Sequence, residues 1–296
     1  MYCKETPNAL RSLRALTIAA AVFAAMPASV CHAQESVRVS RADGNETAIS
    51  IYRPASAPAT EGCSPLAVFS PGLGGTEKGY SYIGEGLSAS GWLTIVVGHA
   101  ESGPQPLRRA IFKSGVHQGM LDMVTDPQLY RDRLMDVGAA LGWAEKQCHR
   151  PFKALLGHSM GSETAMFEAG AANKLGVRGE DRFDAYVAIS TSGPGSIFPE
   201  KAWNKIRKPL YDLTGTEDKA LEGGWQWRTR PFDDFAGECK WLGVVDGATH
   251  LNFAGVGIAG KTKKLTLSSV RAFLSGAQTG NCTMPAEEPG LKLRSK

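Results

Sequence analysis

The chain has 296 residues, 43% of them hydrophobic and 21% charged, an ordinary globular composition with length enough for one sizeable core. Its formal net charge of +4 is too mild to point to nucleic acid, and no long like-charge run or basic amphipathic stretch supplies a local reason to think otherwise. The nearest thing to one is the tail Lys292-Leu293-Arg294-Ser295-Lys296, which reads as solvated and frayed.

Residues 1–33 read as a secretory signal peptide. Arg11 and Arg14 precede an apolar run from Ala15 to Met26, and small residues follow up to Ala33. The run is too short to span a bilayer, so no stable membrane anchor is expected. Lipidation at Cys31 is the alternative, disfavoured by the bulky Val30 before it. Cleavage after Ala33 removes three cations and one anion and lowers the net charge to +2. It also removes Cys3 and Cys31, leaving Cys63, Cys148, Cys239 and Cys282, an even set suited to disulfides in a secreted or periplasmic protein. These four are far apart and form no pair such as C-x-x-C, so no metal site is expected.

Residues 34–296 read as a single domain. Val37–Val39 and Ala48–Pro54 alternate about the turn Asp43-Gly44-Asn45, as an antiparallel hairpin should. Short continuous apolar runs follow: Leu66–Phe69, Leu93–Val97, Ala154–Leu156, Tyr186–Ile189, Leu210–Leu213 and Leu242–Val245. Such runs suit strands buried on both faces. Helical spacing lies between them (Leu134, Val137, Leu141, Ala144), with similar stretches after Gly79, Met160, Glu200 and Lys264. The fold class is therefore α/β, a mostly parallel doubly wound sheet with an antiparallel N-terminal edge. Residues 100–130, rich in Gly, Pro and polar residues, break the rhythm and read as an insertion bordering the active site.

Gly157-His158-Ser159-Met160-Gly161 follows a buried strand and opens a helix, the context a nucleophile elbow requires. Ser159 is the candidate nucleophile. His250, in the loop after the last core strand, is the candidate general base, preferred over His158, His149 and His117. The acid should lie between them in the chain, where Leu213-Thr214-Gly215-Thr216-Glu217-Asp218 runs from a strand into an acidic turn. Asp218 is preferred and Glu217 is the alternative, whereas Asp212 and Asp246 read as structural. The backbone N–H groups of Leu73 and Met160 are the candidate oxyanion donors. The glycine-rich loop Ser70–Gly75 lacks the spacing of a dinucleotide or phosphate motif, so no cofactor is expected. Tyr80 and His99, beyond the ends of core strands, are substrate-pocket candidates. Trp92, Trp143, Trp225, Trp227 and Phe232 read as core aromatics.

With Phe69–Gly75 and Tyr80-Ser81-Tyr82, the elbow, Leu213–Asp218 and Asp246–His250 in place, the chain resembles the α/β-hydrolases. Within them it is most similar to the bacterial dienelactone-hydrolase-like and platelet-activating-factor-acetylhydrolase-like branch. Ser159 stands where dienelactone hydrolases proper carry a Cys nucleophile. The elbow is also similar to that of secreted polyester-cleaving cutinases, except that Ser162 stands where those often carry glycine. The resemblance implies a carboxylic ester hydrolase acting on a small-molecule or polymeric ester without metal or organic cofactor. An acyltransferase, a peptidase or a noncatalytic binding protein on the same fold are the alternatives. In this fold the strands after Cys63 and Cys148 are neighbours, which implies Cys63–Cys148 and leaves Cys239 with Cys282. Acyl length, leaving group and oligomeric state are not legible.

Overall fold

The computed structural model describes residues 34–54, 62–149 and 151–296; the expected signal peptide lies outside them. In chain order the elements are β1 (Glu35–Ser40), β2 (Glu46–Tyr52), β3 (Leu66–Ser70), α1 (Ser81–Ser88), β4 (Leu93–Val97), α2 (Pro104–Ser114), α3 (Val116–Val124), α4 (Pro127–Gln147), β5 (Lys153–His158) and α5 (Met160–Glu168). Then come β6 (Ala185–Ile189), β7 (Leu210–Glu217), α6 (Trp225–Arg228), α7 (Arg230–Asp234), β8 (Lys240–Thr249), α8 (His250–Phe253), α9 (Gly260–Thr279) and β9 (Leu291–Ser295). The strands form one sheet in the order β1-β2-β4-β3-β5-β6-β7-β8-β9. β4-β3-β5-β6-β7-β8 are parallel, flanked by antiparallel β1 and β2 at one edge and β9 at the other.

The apolar runs became central strands because alternate residues bury opposite faces. In β3, Leu66 and Val68 pack into the core beneath α4 and α5, while Ala67 and Phe69 pack into the core beneath α1 and α9. β5 and β6 do the same. α4 contributes Tyr130, Leu134, Val137, Leu141 and Ala144 to the first core, and α9 contributes Leu265, Val270, Phe273 and Leu274 to the second.

Three expectations are corrected. The 100–130 segment is largely helical: Pro104 and Pro127 take first-turn positions of α2 and α4, where their missing N–H costs nothing, and Gly103 and Gly115 form the joints. The C-terminal tail is a strand. Its alternation buries Leu291, half-buries Leu293 and leaves Lys292 and Arg294 exposed, and β9 caps the open edge of β8. After Glu200 the chain makes turns rather than a helix.

Cys63 bridges Cys148, with Cα atoms 5.7 Å apart, and Cys239 bridges Cys282, with Cα atoms 5.3 Å apart. Among the described residues no helix is long and apolar enough to cross a membrane.

Candidate active site

Every strand of the parallel set points its C-terminal end toward one rim, and the loops there bring distant parts of the sequence together. Ser159 sits between β5 and α5 at φ 53°, ψ −126°, a region that L-residues rarely occupy. Its N–H donates to Ile189 O at 2.9 Å, and its own C=O accepts from Ser162 and Glu163 as the helix begins. The flanking glycines are a packing requirement. A Cβ on Gly157 would overlap the backbone of Gly161, and one on Gly161 would overlap Ser70 O. Strand and helix approach too closely there for any side chain.

His250 is the first residue of α8. Thr249 accepts from Asn252 N–H at 3.3 Å, and Asn252 Oδ1 accepts from Thr249 N–H at 3.1 Å, a reciprocal cap that fixes the backbone holding the imidazole. His250 Nδ1 lies 2.8 Å from Asp218 Oδ1. An ionised carboxylate only accepts, so Nδ1 carries the proton and Nε2 is left as the basic nitrogen. Asp218 is fully buried in the turn after β7, whereas Glu217 is exposed, so of the two acids the structure brings Asp218 to the histidine.

Burial alone would raise the Asp218 pKa. The hydrogen bond from His250 and the charge of Arg228 outweigh it, and the carboxyl is held down at about 2. Arg228 is itself buried, with Nε 3.1 Å from Asp218 Oδ1. Its Nη1 donates to Ser190 O at 2.5 Å and Thr191 O at 3.0 Å. Thr214 Oγ1 donates to the second carboxylate oxygen at 2.9 Å. The sequence reading missed Arg228, because nothing in Trp225-Gln226-Trp227-Arg228 shows where that short helix folds back.

Ser159 and His250 line one cavity of about 250 Å³. Leu73 forms part of its wall, and neither the Leu73 nor the Met160 N–H has a hydrogen-bond partner among the described residues, although the neighbouring amides Gly72, Gly74 and Gly75 are all engaged. Met120, Leu121 and Val124 of α3 also line it.

Two expected pocket residues do not line this cavity. Tyr80 is buried, its hydroxyl 2.8 Å from His158 Nδ1 and accepting from Gly72 N–H at 3.3 Å. His99 is buried between Ser70 Oγ, 2.9 Å from Nε2, and Asp136 Oδ2, 2.8 Å from Nδ1. Asp136 in turn accepts from Arg41, and burial pushes its pKa up to about 6. Burial likewise holds His99 well below the ordinary histidine range, as a neutral ring. Both residues brace the Ser70–Gly75 loop from within. Arg133 completes that brace, donating to Ser70 Oγ, Pro71 O and Ser102 Oγ.

Of the other histidines, His158 packs its ring 4.6 Å from that of His250 and is kept neutral by burial, while His117 and His149 are exposed. Asp212 is buried in β7, where burial pushes its pKa well up, and Asp246 is exposed. Trp92 and Phe232 are core residues as expected, but Trp227 is not. It is half-buried on the cavity wall, with Nε1 donating to Pro194 O at 2.8 Å. Glu163, one helical turn after Ser159, also lines the cavity. The i, i+4 spacing in a helix opened by the nucleophile is a sequence signal that could have found it.

Neither a protein-family model nor a curated protein matches the sequence. Among solved structures the chain is similar to Est1E from Butyrivibrio proteoclasticus, with a TM-score of 0.57 and 15% identity over 82% of this chain and 99% of that one. At that identity the likeness speaks to architecture alone, and with the strand order and elbow above it shows an α/β-hydrolase fold.

Proposed function

We propose that this protein is a secreted serine hydrolase that cleaves carboxylic esters, with Ser159, His250 and Asp218 as its catalytic triad. The observation that carries the reading is the buried Asp218 hydrogen-bonded to His250 Nδ1, in a cavity that His250 shares with a backbone-strained Ser159. In the proposed cycle His250 Nε2 takes the Ser159 Oγ proton as Oγ attacks the ester carbonyl. The oxygen anion develops toward the Leu73 and Met160 N–H groups. His250 then passes the proton to the departing alkoxide, leaving an acyl-enzyme. Water, deprotonated by the same nitrogen, attacks the acyl carbon and releases the carboxylic acid and free Ser159. Asp218 stays ionised throughout and stabilises the imidazolium formed in each half-reaction. Two disulfides support an oxidising compartment. The dienelactone-hydrolase-like branch rests on the four sequence stretches alone.

The test is hydrolysis of p-nitrophenyl esters of graded acyl length by wild type and Ser159→Ala, with a fluorophosphonate label mapped by mass spectrometry. Turnover that falls by roughly 10⁴ or more in the variant, with the label on Ser159, is the expected result. Absence of both turnover and label would favour a binding protein on the same fold.

A further inference from the structure

Glu163 is 4% exposed and yet lines the cavity that holds Ser159 and His250. Its partners are neutral: Tyr130 OH, whose one proton is shared between Val124 O at 2.9 Å and Oε2 at 3.1 Å, and Ser192 Oγ, which donates to Oε1 at 2.5 Å. The ion pairs of this region join Asp218 to Arg228 and to His250, and Glu163 shares in neither. Arg133 acts on it through space but directs its N–H groups to Thr164, Ser102, Ser70 and Pro71. A buried carboxylate with only neutral donors is costly to hold. It retains lone-pair capacity toward the cavity, and among the described residues no cation lies within ion-pair distance of it.

Two further features point the same way. Glu222, exposed, lines the same cavity and among the described residues bonds only to the amide and hydroxyl of Ser196. Trp227 lines the cavity as well, its indole held by the bond from Nε1 to Pro194 O. Carboxylates with an aromatic wall are the chemistry that recognises an organic cation. Against them stand Lys219, exposed at the rim, and Arg228, whose charge is matched by Asp218. The geometry points to a cation subsite: the cavity takes esters whose acyl chain carries an ammonium group, held by Glu163 with Glu222 and Trp227. Glu163 lies four positions after Ser159, a rise of about 6 Å along a helix, a span that an acyl chain of about three methylenes matches.

This subsite rests on the hydrolase reading, and an isosteric pair separates the two. The p-nitrophenyl esters of 4-(trimethylammonio)butanoate and of 5,5-dimethylhexanoate differ only in a quaternary nitrogen replacing a quaternary carbon. Wild type should favour the cationic ester by about tenfold in kcat/KM, chiefly through KM. That preference should fall toward one in Glu163→Gln and partly in Glu222→Gln, each with a native circular dichroism spectrum. A wild-type preference of one or less overturns the subsite, as does a preference that survives Glu163→Gln. If the neutral ester turns over and Ser159 is labelled, the hydrolase reading stands regardless of that ratio. If neither ester turns over, calorimetry with choline against 3,3-dimethyl-1-butanol decides: choline binding lost in Glu163→Gln upholds the subsite, and no choline binding overturns it.

Discussion

Asp218 has a carboxyl held near 2 in the folded chain against an ordinary value of 3.8, with the His250 ring donating to it and the Arg228 guanidinium beside it. A folded-state pKa below the unfolded one contributes stability that is fully present above pH 3.8 and is lost as pH falls through 2. The size is about 2 kcal/mol, since each unit of pKa difference is worth about 1.4 kcal/mol. Wild type and Asp218→Asn, melted in steps from pH 6 to pH 2, should therefore converge in Tm below pH 4. A constant gap down to pH 2 would show that the charge is not the source. Arg228 enters the same account from the other side. Arg228→Met leaves a buried carboxylate short of a cation, and an unfolding titration should show a loss of about 3–5 kcal/mol. Arg228→Lys should not restore it, because one ammonium cannot reach Asp218, Ser190 O and Thr191 O together. The three catalytic candidates were legible because each sits on a short motif whose local geometry is dictated by neighbours in sequence. Arg228 was not, and for Glu163 only its spacing from Ser159 was: their partners, Ser190, Ser192 and Tyr130, are about 30 to 40 residues away and meet them only in the folded chain. Tyr80 and His99 lie beyond strand ends but do not line the cavity, and nothing local says that His158 and Asp136 take up their polar atoms.

At the scale of the elements, the elbow shows how strand and helix together determine one side chain's orientation. α5 crosses the end of β3 so tightly that Gly161 lies against the backbone of Ser70 and Pro71, at the start of the loop that carries Leu73. Gly161→Ala should therefore disturb both the nucleophile and that loop. A methyl group driven into a backbone carbonyl cannot be relieved by rotating a side chain, so a loss of about 3 kcal/mol or more is expected. Thermal melting and soluble yield would read it; a variant as stable as wild type would mean that the two elements are less tightly joined than described. The central strands were legible for a simple reason: burial on both faces demands apolar residues at every position, a pattern that survives without knowing the neighbours. β9 was not, because an edge strand with one buried leucine reads like a charged tail until β8 offers it a partner. The helices of residues 104–124 were obscured by their own prolines and glycines. In α2 these mark a helix start and a joint rather than irregular chain.

Across the whole molecule, the disulfides and the candidate site occupy opposite ends of the sheet. Cys63 and Cys239 precede β3 and β8, whereas Ser159, Asp218, His250 and Leu73 all follow the C-terminal ends of strands or lie close to them. The bridges span 85 and 43 residues of sequence. Cross-linking acts largely on the unfolded chain by removing conformations it would otherwise sample, and loops of these lengths correspond to about 4–5 kcal/mol each, with the longer worth slightly more. Replacing both cysteines of either bridge by serine should lower Tm and the denaturant midpoint, more for Cys63/Cys148 than for Cys239/Cys282. The turnover of a p-nitrophenyl ester at 25 °C should stay within about twofold of wild type while the variant remains folded, because the native loops at the far end of the sheet do not depend on the cross-links. Loss of activity at a temperature where circular dichroism is still native would contradict this separation. It would mean that the bridges also hold the sheet in the twist that brings Asp218 and His250 to Ser159.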